Sequence, residues 1–345
     1  MVIAVIGAGL SGLTAARELA LAGHQVTVIE KSRGFGGRMA TRYAGKDDSL
    51  KLDHGLSYFT ADSPEFRKFV AELLDKELLQ VWGDHFALYD GKDFHETNPN
   101  AVKMTRYTSR DGMNNIGKYL GRWVDVKFET RASGLTNIGN FRDKKRAWMI
   151  NLESSGTFEA DAVIIALPAA QAYGLLNTTQ DETDILKMVS VIDEIEYETS
   201  FSLMAGYGKQ AQPDWQGIIC QDSVLNFISN ESKKRGNEDE LAIVLNSTPG
   251  FAYTNREVDK ELVSRQMLDS FARIAGGWGA VPEWSQIHFW RYSRSVNTIP
   301  KPFLELKSGE GPLALVGDYF EGSSVDHAYR SGLKLAQNWI SKYPD

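Results

Sequence analysis

A single cysteine, Cys220, stands in a chain of 345 residues. No disulfide can form within the chain, and such sparing use fits a reducing, cytoplasmic compartment. Cys220 itself reads as a small buried apolar residue. Positive charge is also short: 38 Lys and Arg stand against 45 Asp and Glu, for a net charge of −7. A nucleic-acid partner needs a basic face that this balance does not supply. No apolar run approaches the ~20 residues of a membrane span. The most continuous stretch, Ala162 to Ala170, is interrupted by Pro168. The apolar N-terminus lacks a basic flank, and Arg17 and Glu18 soon follow, so it reads as a buried strand and helix rather than a leader. Six scattered histidines offer no metal-ligand spacing, and no metal site is expected. There is no internal repeat and no Ser/His/Asp order. Neither a membrane nor nucleic acid is expected as a partner.

What the chain does have begins at its second residue. The run Val2 to Ile6 leads into Gly7-Ala8-Gly9-Leu10-Ser11-Gly12, and the next apolar run, Gln25 to Ile29, closes on Glu30. This is a strand, a glycine turn, a helix and a second strand ending in an acid. Gly7 permits the sharp turn, Gly9 lets backbone approach a pyrophosphate, and Gly12 lets helix and strand pack closely. The start of the helix, at Leu10 and Ser11, offers unpaired N–H groups and a positive dipole end to phosphates. Glu30 lies 18 residues past Gly12 (30 − 12), near the ~20 expected for the acid that accepts ribose hydroxyls. A dinucleotide is the expected ligand. The motif alone does not separate NAD from FAD.

Two further segments bear on that choice. Lys31-Ser32-Arg33-Gly34-Phe35-Gly36-Gly37-Arg38 is glycine-rich and basic, where a simple dehydrogenase would begin its next helix. Backbone at Gly36 and Gly37 with the Arg38 guanidinium could clasp a pyrophosphate; the competing reading is a solvated loop. Near the other end, Leu313 to Val316 reads as a short strand running into Gly317-Asp318. A polar turn and a helix from Val325 to roughly Lys342 follow.

Together these pieces resemble the FAD-binding signature of the amine-oxidase-like flavoproteins. The resemblance implies FAD, with Asp318 accepting a ribityl hydroxyl and the turn near Val325 facing the flavin's pyrimidine edge. Some of these oxidases tether the flavin through a cysteine near the C-terminal motif, but Cys220 is far from Gly317 in sequence, so noncovalent FAD is expected. The closer likeness is to renalase-like oxidases. Asp53-His54-Gly55-Leu56-Ser57-Tyr58-Phe59-Thr60 is similar to their segment beneath the flavin, with His54 standing where an aliphatic residue is expected. Arg110 to Met113 resembles their helix start, and Phe289-Trp290-Arg291-Tyr292-Ser293 their Trp-Arg-Tyr strand. His54 and Gly55 thereby join the cofactor contacts, and Tyr58, Trp290 and Tyr292 become candidate substrate-wall residues.

The implied fold is α/β: a Rossmann-type FAD-binding domain of the glutathione-reductase and amine-oxidase kind, with an inserted antiparallel-sheet plus helix substrate domain. The first comprises residues 1–62, 107–170 and 310–345, the second 63–106 and 171–309. Trp148 to Leu152 and Asp161 to Leu167 read as strands of the nucleotide domain. Phe201, Leu203, Ala205 and Tyr207 mark a half-buried antiparallel strand. The charged run Lys233 to Glu240 reads as an exposed hairpin tip. Trp290 and Tyr292 would share one strand face, with Arg291 on the other. Arg291 and Arg294 could meet substrate phosphates or only water.

Without a second glycine fingerprint, reduction by the substrate itself is the simpler scheme. The resemblance implies a small-molecule substrate, an isomeric dihydronicotinamide with hydride at position 2 or 6, oxidised to NAD(P)+. O2 would be the acceptor and H2O2 the product. A conventional amine oxidase, or a desaturase of an isoprenoid or porphyrinogen, is the enzymatic alternative. A flavin-free binding protein like the Rab GDP-dissociation inhibitors is the alternative of another class; the intact Gly36-Gly37-Arg38 and Gly317-Asp318 segments argue against it.

Overall fold

The structure is a computed structural model. It describes the chain except residues 46–47, 84–85, 99–103, 140–144, 154–155, 180–182, 238, 307–310 and 345. Val2–Ile6 pairs in parallel with Gln25–Ile29 on one side and with Ala162–Ile165 on the other. Leu313–Leu315 and Asp125–Lys127 extend this into a six-stranded sheet, with Leu304–Glu305 antiparallel at one edge. Its central strands Val2–Ile6 and Ala162–Ile165 are apolar at successive positions because both faces are covered. Ile3 and Val5 belong to the core beneath the helices Leu10–Leu21 and Val325–Lys342. Ala4 and Ile6 face the opposite core, with Leu175 and Leu176 of the Ala169–Leu176 helix. The first and last long helices touch where a Cβ on Gly332 would run into the Ser11 carbonyl oxygen.

Trp148–Leu152 does not join this sheet. It is the middle strand of a separate three-stranded antiparallel sheet, between Ala132–Asn137 and Thr157–Ala160. Its alternating burial distinguishes it from the continuous burial of Ala162–Ile165.

A seven-stranded sheet carries the second layer system. Its order is Trp284–Ser295, Tyr197–Gly206, Ala242–Ser247, Leu225–Asn230, Gly217–Cys220, Phe86–Tyr89 and Phe94–His95. Neighbours are antiparallel except Gly217–Cys220 with Phe86–Tyr89. The Lys260–Ala275 helix, capped by the Asp259 carboxylate accepting from Glu261 and Leu262 N–H, packs Val263, Met267 and Phe271 onto Phe201, Leu203 and Leu245. Positions 201–206 are buried throughout, rather than alternately. On the sheet's other side, Met204 and Val244 meet Leu50 and Leu52 of the Thr41–Ala44/Leu50–Asp53 hairpin. Cys220 is buried, and burial pushes its thiol pKa up. Among the described residues no helix is long and apolar enough to cross a membrane, and no cluster of His, Cys, Asp or Glu could hold a metal ion.

Candidate active site

A cavity of about 1970 Å³ lies between the six-stranded sheet and the seven-stranded sheet. At one end is the glycine turn. Gly7 has φ +108°, and a Cβ there would lie 2.6 Å from the Ala166 carbonyl oxygen. A Cβ on Gly12 would strike the Gly7 carbonyl oxygen and come 2.8 Å from the Ala166 side chain, so helix and strand meet through its missing side chain. Gly9 differs: a Cβ there meets nothing within 4 Å. Gly9, Leu10 and Ser11 line the cavity, and the helix opens without a side-chain cap. Glu30 is buried and accepts from Ala8 N–H and Ser32 N–H, both at 2.8 Å. A carboxylate has about four lone-pair sites, so two of Glu30's are left for ligand hydroxyls.

The basic segment folds back over this turn. Gly36 N–H donates to the Ala8 carbonyl at 3.0 Å, and a Cβ on Gly37 would sit 3.5 Å from the Gly9 Cα. Gly36 and Gly37 have φ of +114° and +56°, which a side chain would strain. Lys31 stands at the exposed rim, 3.5 Å from Gln171 Oε1. Arg38 donates to both Asp318 oxygens, at 2.8 and 2.5 Å, across 280 residues of sequence. Burial works against the guanidinium's charge, but the Asp318 carboxylate outweighs it and the Arg38 pKa is raised. Two residues expected to touch different parts of a cofactor thus also bind each other. Gly317 N–H donates to Ser331 Oγ at 3.1 Å, and Val325 lines the cavity at the start of the last helix.

The segment Asp53 to Thr60 runs along the cavity, and Asp53 anchors it from behind. Asp53 and Glu231 are bound by Lys234, at 3.1 and 2.8 Å, and by Arg235, at 2.7 and 2.6 Å. Asp53 N–H donates to Glu231, and Lys234 Nζ donates to the Ser57 carbonyl. Burial would raise the Asp53 pKa, yet Lys234 and Arg235 hold it below the usual carboxylate value. This quartet corrects the expected exposure: the run does join the antiparallel neighbours Leu225–Asn230 and Ala242–Ser247, but Glu231–Arg235 is a short helix, with Lys234 fully buried. An unbroken charge run hides such pairing because its acid partner, Asp53, lies 181 residues away. Residue 238 of that run lies outside the described residues.

The His54 ring lies tilted at 5.3 Å from Trp290 and edge-on at 5.2 Å from His288, and Trp290 Nε1 donates to the His54 carbonyl at 2.9 Å. Burial, His288 and Arg42 lower the His54 pKa to about 4, so the imidazole is neutral at pH 7. Gly55 is held against Arg38, whose carbonyl oxygen a Cβ would strike. Tyr58 packs among Trp82, Phe86 and Phe227 at 5.6–6.3 Å. Tyr292 lines the cavity and meets Tyr197 at 5.4 Å. Arg291, expected on the opposite face, lines the cavity as well, because the ladder shifts register between Glu198 and Ser200. Phe201, Tyr207 and Trp215 are core residues.

Phe227 was among the aromatics that the sequence offers as walls for a planar substrate, but the polar residues in its row escaped the sequence reading. His288, Ser202, Asn246 and Phe227 are register partners across four adjacent strands, and all line the cavity. The signal was the alternation of polar Ser200 and Ser202 with apolar Phe201 and Leu203.

A family model described as flavin containing amine oxidoreductase matches residues 51–340, and one described as an NAD(P)-binding Rossmann-like domain matches residues 5–73. The chain belongs to the flavin-containing amine oxidoreductases. An L-amino-acid oxidase of Siganus canaliculatus is 27% identical over 57% of this chain and 38% of its own length. A 4,4'-diapophytoene desaturase of Staphylococcus haemolyticus is 51% identical over 16% of the chain and 10% of its own. The chain therefore spans well under half of these curated relatives. Among solved structures, cyclohexylamine oxidase from Brevibacterium oxydans aligns with a TM-score of 0.72 at 12% identity, over 99% of this chain and 98% of its own. Putrescine oxidase bound to putrescine aligns at 0.71 and 14% identity, over 99% of each. These two likenesses concern the fold.

The family implies FAD, and the residues present fit it. The cavity exceeds the ~300–1,000 Å³ of ordinary small-molecule sites. Gly9 and Gly37 leave between them a cradle that a side chain would fill, and Glu30 retains acceptor capacity beside it.

Proposed function

We propose that this chain is a renalase-like FAD-dependent oxidase. It converts a 2- or 6-dihydro isomer of NAD(P)H, with O2 and one proton, into NAD(P)+ and H2O2. FAD is held noncovalently, with Glu30 accepting the adenosine ribose hydroxyls. Gly7, Gly9, Leu10, Ser11, Gly12, Gly36 and Gly37 admit the pyrophosphate, and Lys31 adds charge at the rim. Arg38 and Asp318 meet the middle of the cofactor, while His54, Gly55, Gly317 and Val325 surround its ring end. Residues 1–62, 107–170 and 310–345 form the cofactor domain, and 63–106 and 171–309 the substrate domain. When bound, the flavin supplies a two-electron acceptor.

The observation that carries this reading is the charge of the substrate wall. Among the described residues, neither the 54–60 segment nor the seven-stranded sheet contributes a carboxylate to the cavity lining, whereas Arg291 and Arg294 do line it. Four acids line the cavity elsewhere: Glu30 holds two backbone N–H groups, Asp318 is paired with Arg38, Asp48 lies in the turn between Thr41–Ala44 and Leu50–Asp53, and Glu129 follows the edge strand Asp125–Lys127. A diamine would bring a second ammonium to a wall with no counter-charge. A neutral dihydropyridine carrying phosphates suits serines, asparagines, aromatic rings and arginines. Trp290 and Tyr292, with Tyr58 farther along the sheet beside Phe227, supply flat walls for such a ring. Neutral His54 adds no positive charge where a pyridinium product forms.

The same arginines would also seat an amino-acid carboxylate, so L-amino acids are the second candidate class. Anaerobic mixing of the yellow holoprotein with the dihydronicotinamide isomers, L-amino acids and diamines separates them. Rapid bleaching by the isomers alone is expected. Bleaching by amino acids or amines, with the isomers inert, overturns the assignment.

A further inference from the structure

The ladder between Leu225–Asn230 and Ala242–Ser247 is broken at one point. Leu225 pairs with Ser247, but the next pair is Phe227 with Asn246, so Asn226 is an extra residue without a partner. Such a bulge turns a side chain out of the regular alternation. Here the consecutive residues Asn226 and Phe227 both line the cavity, next to Asn246. Asn226 is exposed to that cavity, and its amide is bound to no described residue. Asn246 is engaged through Nδ2, which donates to Ser202 Oγ at 3.0 Å.

We infer that the bulged Asn226 reads a primary carboxamide on the substrate. The inference rests on the dihydronicotinamide reading and names the residue that recognises the ring's substituent. A side-chain amide presents a donor and an acceptor in one plane, and a primary carboxamide presents the complementary pair. Phe227, adjacent on the same strand, offers an apolar face to the ring that bears the group. A carboxylate would meet only the donor of Asn226, and an ammonium only its acceptor. With Asn226, Ser202 and Asn246 all uncharged, the wall favours the neutral group. A site built to bond an N–H rejects the analogue that lacks it.

The test compares NAD+ with its 3-acetylpyridine analogue, in which a methyl replaces the carboxamide NH2 and the carbonyl is kept. Each is titrated into oxidised holoprotein, and Kd is read from the perturbed flavin spectrum. Wild type is expected to favour NAD+ by about tenfold, the scale of one hydrogen bond. Asn226→Ala should bring the ratio close to one, with FAD content and melting temperature unchanged. Asn226→Asp keeps the acceptor and should keep the preference. If Asn226→Ala retains the wild-type ratio, or wild type shows no preference, the inference is overturned while the substrate reading stands on isomer bleaching. If wild type binds neither nucleotide and the isomers leave the flavin oxidised, both are overturned.

Discussion

At the scale of single residues, Gly9 and Gly12 of one motif do different work. Gly12 is glycine because the fold leaves no room; Gly9 faces open cavity. Gly12→Ala should therefore cost stability, about 1–3 kcal/mol as overpacking does, measured on apoprotein by urea unfolding. Gly9→Val should leave apoprotein stability within about 1 kcal/mol, since surface-like positions rarely change it more, and should abolish FAD retention. Full FAD occupancy in Gly9→Val would remove the pyrophosphate from this turn. His54 makes a second residue-scale prediction. Its pKa falls from about 6.5 unfolded to about 4 folded, so between those values the unfolded chain binds the proton and the folded chain does not. Stability must then fall as pH drops through that window, by up to about 3 kcal/mol from this group. Carboxylates shared by both proteins cancel in the comparison of wild type with His54→Asn. The variant should lose less stability between pH 7 and 4.5, and identical losses would mean that His54 is not buried neutral.

At the scale of elements, the Glu231–Arg235 helix shows what a buried pairing does. Lys234 reaches Asp53, Glu231 and the Ser57 carbonyl, so five residues of helix hold the segment that leads to His54. Replacing Lys234 with Met leaves two buried carboxylates facing one guanidinium. The expected loss is about 3–5 kcal/mol, the scale for breaking a buried pair, readable as a lower urea midpoint. A loss under about 1 kcal/mol, as at an exposed pair, would place Lys234 in solvent. These elements also mark what was legible in sequence. The glycine turn, the continuous Ala162–Ile165 strand and the Val325–Lys342 helix follow from local pattern, since turn geometry and periodicity are written in neighbouring residues. The quartet was not legible, nor was the bulge at Asn226. Both depend on register and on partners far along the chain, and an exposed turn has the same charged composition as a buried ion cluster. The end of the cavity lined by the glycine turn was thus readable from motifs, while the wall formed by the seven-stranded sheet needed the pairing of strands.

At the scale of the whole molecule, segments from near both ends of the chain line one cavity. The Leu10–Leu21 helix packs on Val325–Lys342, and Asp326 accepts from Asp62 N–H, Ser63 N–H and Ser63 Oγ at the start of the next helix, Pro64–Asp75. Arg38 and Asp318 close the same junction at the cavity itself. A ligand that touches both ends binds only the folded chain and must stabilise it, by about 2.7 kcal/mol at a free concentration 100-fold above Kd. Apoprotein should therefore melt at temperatures that climb with added FAD. Asp318→Ala removes one contact and leaves the partly buried Arg38, whose side chain is 31% exposed, with the Ser293 carbonyl and water as partners. Its apoprotein should melt close to wild type, yet the same FAD-dependent rise should require about tenfold more FAD, as the loss of a hydrogen bond to a charged group implies. Melting curves at graded FAD measure both quantities at once. If the variant's curve lies lower at every concentration but keeps the wild-type FAD dependence, Asp318 serves the junction alone and does not reach the cofactor.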